Sequence, residues 1–323
     1  MRSMHKQHLS VALEATEQAA KLCQRVQKSV TAEALEKRDK SPVTIADFGS
    51  QAIIALALRE AFPEIPLIAE EDSAALRDSK NAALRDRVVQ EVARVLERPD
   101  LTSDEVLGWI DHGSASDYSE LFWTLDPIDG TKGFLRGEQY AIALGLVKNG
   151  EPVLATLGCP NLPNADGTIG AIFTAVDGVS KSHSVEGTTT PIQVSQDASL
   201  ASNRFCESVE SAHSDHSQSK AIAELLGIGG QSVRMDSQAK YAAVARGDAE
   251  IYLRLPTRPG YVERIWDHAA GYAILKAAGG TITDVDGNPL DFRHGRGLEK
   301  NRGIVASNGM NHDRLIEAIA KTS

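Results

Sequence analysis

The sequence predicts an α+β protein in which mixed sheets carry helices packed against them. Three observations point there. The first sixty residues hold two stretches with apolar side chains at helical spacing. From Leu121 onward the texture changes to short extended runs, two of them joined at Asn149-Gly150, a strong hairpin signal. Past residue 191, helical and extended patterns interleave. Interleaving with hairpins fits layers of sheet and helix and argues against a barrel.

Leu9, Leu13, Leu22, Val26 and Val30 form the apolar stripe of a first amphipathic helix. A second helix runs from about Asp47 to Ala61, with Ile53, Ile54, Ala57, Leu58 and Ala61 as its buried face, and Pro63 and Pro66 end it. Residues 73–120 are charged and weakly patterned, with a helical piece at Ala82–Leu96 and a loop through Pro99–Ser103. Strands follow at Phe122–Leu125, Tyr140–Val147, Val153–Leu157 and Ile169–Val176, the last closed by Asp177-Gly178. Residues 180–191, rich in Ser, Thr and Gly, suggest a domain boundary, dividing the chain into 1–185 and 186–323. Lys220–Leu226 and His268–Ala278 read as helices, Ile251–Leu255, Thr281–Val285 and Gly303–Ser307 as strands, and Asp313–Ala320 as the last helix.

A chain of 323 residues fits one or two domains. Its 34 basic and 44 acidic side chains leave a formal charge of −10, which argues against a nucleic-acid polymer as partner. No run of 18 consecutive apolar residues occurs, so no membrane span is expected. Three widely spaced cysteines make neither a disulfide framework nor a zinc signature, and no secretory signal begins the chain. A cytoplasmic, reducing setting is the expectation, or an organelle if a leader precedes these residues.

The most informative stretch is Trp123-Thr-Leu-Asp126-Pro-Ile-Asp129-Gly-Thr131. A strand ends at Leu125, and two carboxylates follow, separated by the stiff Pro127. Gly130 allows close backbone approach and Thr131 adds a hydroxyl. Two carboxylates held close repel unless a cation lies between them, and hard oxygen ligands suit magnesium. An Asp-Pro turn followed by an Asp-Gly turn is the plainer alternative. Asp284-Val-Asp286-Gly-Asn288 begins like a calcium loop but carries Pro289 where glycine is needed, so it reads as a turn. Elsewhere, Thr44 and Asp47 fit a capping box, Glu70 and Glu71 a solvated acidic loop, and Asp267 a helix N-cap. His268 reads as a packing histidine.

Taken together, Asp47, Glu70, Asp126-Pro-Ile-Asp129-Gly-Thr131 and Trp266-Asp267 resemble the inositol monophosphatase superfamily of magnesium-dependent, lithium-sensitive phosphatases. Within it the likeness is to the 3′(2′),5′-bisphosphate nucleotidases. It is carried by Ser41-Pro-Val-Thr-Ile-Ala-Asp47, Trp123 through Gly137, Asp236-Ser-Gln-Ala-Lys-Tyr241, Ile251-Tyr-Leu-Arg-Leu-Pro256 and Ile265-Trp-Asp-His-Ala-Ala-Gly271. The resemblance implies the layered α/β sandwich of that superfamily. It implies that Glu70, Asp126, Asp129, Asp267 and the carbonyl of Ile128 hold two or three Mg²⁺ ions, and that Asp47 and Thr131 activate or orient the attacking water. Gly130 and Thr131 would offer backbone N–H groups to the phosphate, while His213, Ser237, Lys240 and Arg254 would contact a nucleotide bisphosphate.

Asp236, Ser237, Lys240 and Tyr241 fall at helical spacing, which lets Ser237 and Lys240 share one face. The implied reaction removes the 3′-phosphate of 3′-phosphoadenosine 5′-phosphate, with the sulfated analogue 3′-phosphoadenylyl sulfate as second substrate, in a monomer. The alternatives are an inositol mono- or bisphosphate phosphatase and a catalytically silent nucleotide sensor. Two departures stand out: Ala69 occupies a position where the family has Gly, and residues 73–120 match no motif.

Overall fold

The structure, a computed structural model, describes residues 2–30, 41–164, 166–184, 186–209, 216–256, 258 and 260–322. Its described elements, in chain order, begin with α1 Arg2–Lys28, α2 Ser41–Ala61, β1 Leu67–Ala69, α3 Ala74–Arg77, α4 Ala82–Val95 and α5 Ser103–Asp111. Next come β2 Leu121–Asp129, α6 Thr131–Arg136, β3 Ala141–Lys148, β4 Glu151–Pro163, β5 Ile169–Val176, β6 Val179–Ser184 and β7 Thr189–Pro191. The rest are β8 Phe205–Glu207, α7 His216–Leu226, β9 Val233–Arg234, α8 Ala239–Ala245, β10 Ile251–Arg254, α9 Ala269–Ala277, β11 Thr281–Thr283, β12 Ile304–Ser307 and α10 His312–Thr322.

Strands β1 to β7 form one sheet in sequence order, parallel between β1 and β2 and antiparallel thereafter. A second, mixed sheet runs β11-β12-β10-β8-β9. Strand alternation decides what each face of the first sheet covers. Trp123, Leu125, Ile142, Leu144 and Leu146 pack with α1, α2, α4 and α5, while Phe122, Ala141, Ala143, Leu157 and Phe173 pack with α8 and α9. Those two helices are buried on both sides, since Cys206, Tyr252, Ile304 and Ala306 of the second sheet join the same core. Their many alanines, among them Ala239, Ala242, Ala243, Ala269, Ala270 and Ala273, let the two sheets close on them. Phe205, Ile251, Leu253 and Val305 then face α7 and α10. The layers alternate helix, sheet, helix, sheet, helix: an α+β fold of mixed sheets.

Several local expectations change. The buried stripe of α1 is His8, Ala12, Ala15, Thr16, Ala19, Leu22, Cys23 and Val26, with Leu9 and Leu13 only half-buried. The two helices come close where Leu22 packs on Gly49 of α2, at which a Cβ would lie 2.8 Å from Leu22 Cδ1. Helix α2 already runs from Ser41, well before Asp47. Thr44 is therefore inside the helix and cannot cap it. By length and composition α2 could also cross a membrane, although it holds no run of 18 consecutive apolar residues; here most of it is buried inside the fold.

Strand β2 continues past Leu125 to Asp129, with its register shifted between Asp126 and Asp129, where Pro127 has no N–H to give the ladder. The expected boundary at 185–186 falls between β6 and β7, and the change of sheet comes after Pro191. Those Ser- and Thr-rich residues form β6 and the edge strand β7, where polar side chains are tolerated on exposed faces. In the weakly patterned segment, α5 carries a capping box: Thr102 Oγ1 accepts from Glu105 N–H at 3.3 Å, and Glu105 Oε2 accepts from Thr102 N–H at 2.9 Å. Asp284 makes the expected turn, accepting from the N–H groups of Asp286 and Asn288 at 3.0 and 2.8 Å.

Candidate active site

The end of β2, the segment after β1 and the turn before α9 converge on a cleft of about 310 Å³. One wall carries Glu70, Asp126, Ile128, Asp129 and Asp267, beside Gly130 and Thr131. Ser237, Lys240, Tyr252, Arg254 and Tyr261 also line the cleft, with Arg254 reaching Asp267 Oδ2 at 3.3 Å. Asp47 is buried behind the acidic wall, close enough to feel Glu70 and Glu71 but outside the cleft lining. His213 lies outside the described residues.

The carboxylates are crowded and short of counter-charge. Burial, reinforced by Asp267 and Glu71, pushes Glu70 up to about 8. Burial, then Glu70 and Asp129, holds Asp126 well above the ordinary carboxylate range. Burial, then Glu71 and Glu70, does the same to Asp47. Asp267 rises to about 6 through burial, although Arg254 and His268 oppose the rise. Asp126 Oδ1 is buried without a hydrogen-bond partner among the described residues. An orphaned carboxylate oxygen amid mutually repelling carboxylates is the arrangement a hard cation relieves, so the donor set fits a metal with a preference for oxygen. Glu263, Asp267 and His268 also bring ligand atoms within 4.8 Å of one another. His268, however, is fully buried and its two nitrogens lie 2.9 Å from the Tyr241 hydroxyl and 3.2 Å from Glu263, as suits a packing histidine.

Two cations, Lys240 and Arg254, line the same cleft. Lys240 is only 4% exposed, and its ammonium lies 5.2 Å from the centre of the Tyr252 ring with no hydrogen bond or ion pair among the described residues. Burial lowers its pKa against the pull of Asp129. Arg254 instead has partners: it donates to Glu263 Oε1 at 3.0 Å and to Asp267 Oδ2 at 3.3 Å. Burial opposes its charge, but Glu263, Tyr252, Asp267 and Tyr261 together outweigh burial and hold the guanidinium well above its ordinary value.

Ser237 does not share a helical face with Lys240. It precedes α8 at φ +69, and its Oγ accepts from the Ala239 N–H at 3.2 Å. Gly130 takes φ +88 at the start of α6, where a Cβ would sit 3.0 Å from Ser237 Cβ, so only glycine lets these two loops meet. Asp267 lies in a 3₁₀ turn, Ile265–Asp267, and does not cap α9. Ala69 ends β1 with no need for positive φ.

Three residues that hold this geometry were not singled out in the sequence. Gln51, one turn beyond Asp47 in α2, donates through Nε2 to the Glu71 carbonyl at 2.6 Å and accepts from the Glu71 N–H at 3.1 Å. It thereby ties Asp47's helix to Glu70's segment. Arg296 donates to the Ala69 carbonyl at 2.8 Å and stacks 4.5 Å from the centre of the Trp266 ring, joining the segments of Glu70 and Asp267. Gln238 donates its main-chain N–H to Asp129 Oδ2 at 2.5 Å. A lone amide or guanidinium has no periodicity to announce it; only spacing to Asp47 on one helix face hinted at Gln51.

A layered fold with an acidic cleft facing buried cations is a site for hard cations and an anionic ligand together. Residues 4–323 match the Inositol monophosphatase family, and the chain belongs to it. Among its relatives is the 3′(2′),5′-bisphosphate nucleotidase of Schizosaccharomyces pombe, 44% identical over 92% of this chain and 89% of that one. Another is the 3′(2′),5′-bisphosphate nucleotidase of Emericella nidulans, 40% identical over 95% and 96%. In fold, the chain is similar to an inositol monophosphatase from Anabaena (Nostoc) sp., with a TM-score of 0.60 at 22% identity, covering 98% of this chain and 96% of that one. It is similar also to CysQ from Bacteroides thetaiotaomicron, with a TM-score of 0.61 at 20% identity, covering 93% and 97%.

Proposed function

We propose that this protein is a Mg²⁺-dependent 3′(2′),5′-bisphosphate nucleotidase. It removes the 3′-phosphate of 3′-phosphoadenosine 5′-phosphate to give AMP and phosphate, and converts 3′-phosphoadenylyl sulfate to adenylyl sulfate. The observation that carries this reading is Lys240, a buried cation that lines the same cleft as the carboxylates and makes no hydrogen bond or ion pair among the described residues. A substrate with a single phosphate held at the acidic wall leaves that cation unmatched. A second phosphate matches it, and the relatives at about 40% identity bear the corresponding name.

Glu70, Asp126, Asp129, Asp267 and the Ile128 carbonyl would hold two or three Mg²⁺ ions. When bound, the metal would neutralise the carboxylates, polarise the scissile phosphate and make water a stronger nucleophile. Thr131 and Asp47 orient the attacking water and draw its proton. Water oxygen bonds to phosphorus as the P–O3′ bond breaks, and the departing ribose oxygen takes up a proton. Gly130 and Thr131 face the same phosphate. Ser237, Lys240 and Arg254 hold the nucleotide and its other phosphate, and His213 is proposed to join them. Three free, buried cysteines support a reducing compartment, the cytoplasm. A monomer is the proposed state.

Phosphate release from the bisphosphate, its sulfated form and inositol phosphates, with Mg²⁺ present, withheld, and then challenged with Li⁺, tests the reading. The bisphosphate should turn over fastest, and only with Mg²⁺. Faster turnover of an inositol phosphate would replace the substrate assignment, and binding without turnover would favour a sensor. Asp129→Asn should lose turnover by orders of magnitude once contaminating phosphatase is excluded.

A further inference from the structure

We propose that Gln238 is a positioning residue that fixes Asp129 and Asp267 in one relation; the inference rests on the metal-binding reading of those carboxylates. Its main-chain N–H donates to Asp129 Oδ2 at 2.5 Å. Its side-chain Nε2 donates to the Trp266 carbonyl at 2.8 Å, and its Oε1 accepts from the Gly271 N–H at 3.1 Å. The residue is 2% exposed, so water cannot substitute for either partner.

The three bonds join three separate elements: the end of β2, the 3₁₀ turn before α9, and the first turn of α9 itself. Trp266 immediately precedes Asp267, and Gly271 follows four residues later, so the amide grips the Asp267 segment from both sides. Meanwhile its own backbone grips Asp129. Both partners of the amide have fixed roles, a carbonyl that only accepts and an N–H that only donates, and these determine which end of the amide is nitrogen. Glutamate would lack the donor and methionine would lack both functions. The left-handed turn at Ser237, φ +69, aims the Gln238 N–H at Asp129, and the absence of a side chain at Gly130 lets the loops come within reach.

Carboxylates reach a cation productively only when their separation is held, and residues behind metal ligands typically affect metal affinity or activity about 10–100-fold. The test uses the full chain, stripped of metal and titrated with Mg²⁺ alone, with thermal unfolding as readout and no substrate present. In Gln238→Ala and in Gln238→Met the half-saturating Mg²⁺ concentration should rise about 10–100-fold. In turnover assays at saturating Mg²⁺, kcat should fall more than KM changes. Gln238→Met fills the same space and keeps the main-chain N–H, so it separates hydrogen bonding from packing. Mg²⁺ binding restored to the wild-type value in Gln238→Met, or a melting temperature lowered equally at every Mg²⁺ concentration, would overturn the role of Gln238. No Mg²⁺ response in the wild-type protein would overturn the metal reading, and this inference with it.

Discussion

Lys240→Met separates the two walls of the cleft. Lys240 is 4% exposed and meets no anion among the described residues, so a bound phosphate is the partner that its ammonium has to gain. A hydrogen bond to a charged group contributes about 1.5–3 kcal/mol. At about 1.4 kcal/mol per factor of ten, Lys240→Met should lower kcat/KM for the bisphosphate roughly 10- to 150-fold. Adenosine 3′-monophosphate lacks the second phosphate, so its kcat/KM should change little. Stability should move the other way. Methionine fills a similar volume and removes a buried charge that has no ion pair among the described residues, so the melting temperature should hold or rise. Steady-state kinetics on both substrates, with thermal unfolding of both proteins, measures the set. Equal losses on the two substrates would refute a phosphate contact, and a marked loss of stability would show that Lys240 supports the fold instead.

Three other outcomes follow from the same geometry. Gly130→Ala must place a Cβ at φ +88, and left-handed backbone costs a non-glycine residue about 1–2 kcal/mol; denaturant unfolding should show at least that loss, and wild-type stability would refute the strain. In chelated protein, Asp267 at about 6 and the raised Asp47 and Asp126 retain protons that the unfolded chain has already released near 3.8. The contribution of Asp267 to stability is therefore greatest at low pH and is lost as pH rises through 6, with Asp47 and Asp126 acting in the same direction, so melting temperature should fall across pH 4–7 in chelator and recover with Mg²⁺; no difference between the two conditions would refute it. Burial pushes the Cys159 and Cys206 thiols up to about 12 and raises Cys23 further, so no thiol should react with a thiol-specific reagent at neutral pH until the protein unfolds. Rapid labelling of native protein would contradict that burial.

Periodicity located most of the elements because strands and helices advertise themselves over a few residues. It erred where tertiary packing overrode local pattern. Ala12, Ala15 and Ala19, not Leu9 and Leu13, took the first half of the buried face of α1, while Leu22 packs closely on Gly49 of α2. The Ser- and Thr-rich stretch that suggests a domain boundary also carries β6 and β7, since hydroxyl side chains suit a strand at the rim of a sheet as well as a loop. Ser237 looked helical by spacing, yet a left-handed turn there serves Asp129 through Gln238.

The sequence by itself determined the chemistry: which carboxylates carry the motif, the stiff Asp126-Pro127-Ile128-Asp129 turn, and a surplus of acid that attracts cations and so does not oppose a phosphorylated ligand. Those features are short-range, and residue identity expresses them directly. Only the tertiary structure decided how positions 70, 126, 129 and 267 meet at one cleft with 47 buried nearby, and that Lys240 lines the same cleft with no hydrogen bond or ion pair among the described residues. It also decided that Gln51, Gln238 and Arg296 hold those segments in place. Their bonds run to main-chain groups far along the chain, where any residue type offers the same carbonyl and N–H, so no pattern of side chains records them.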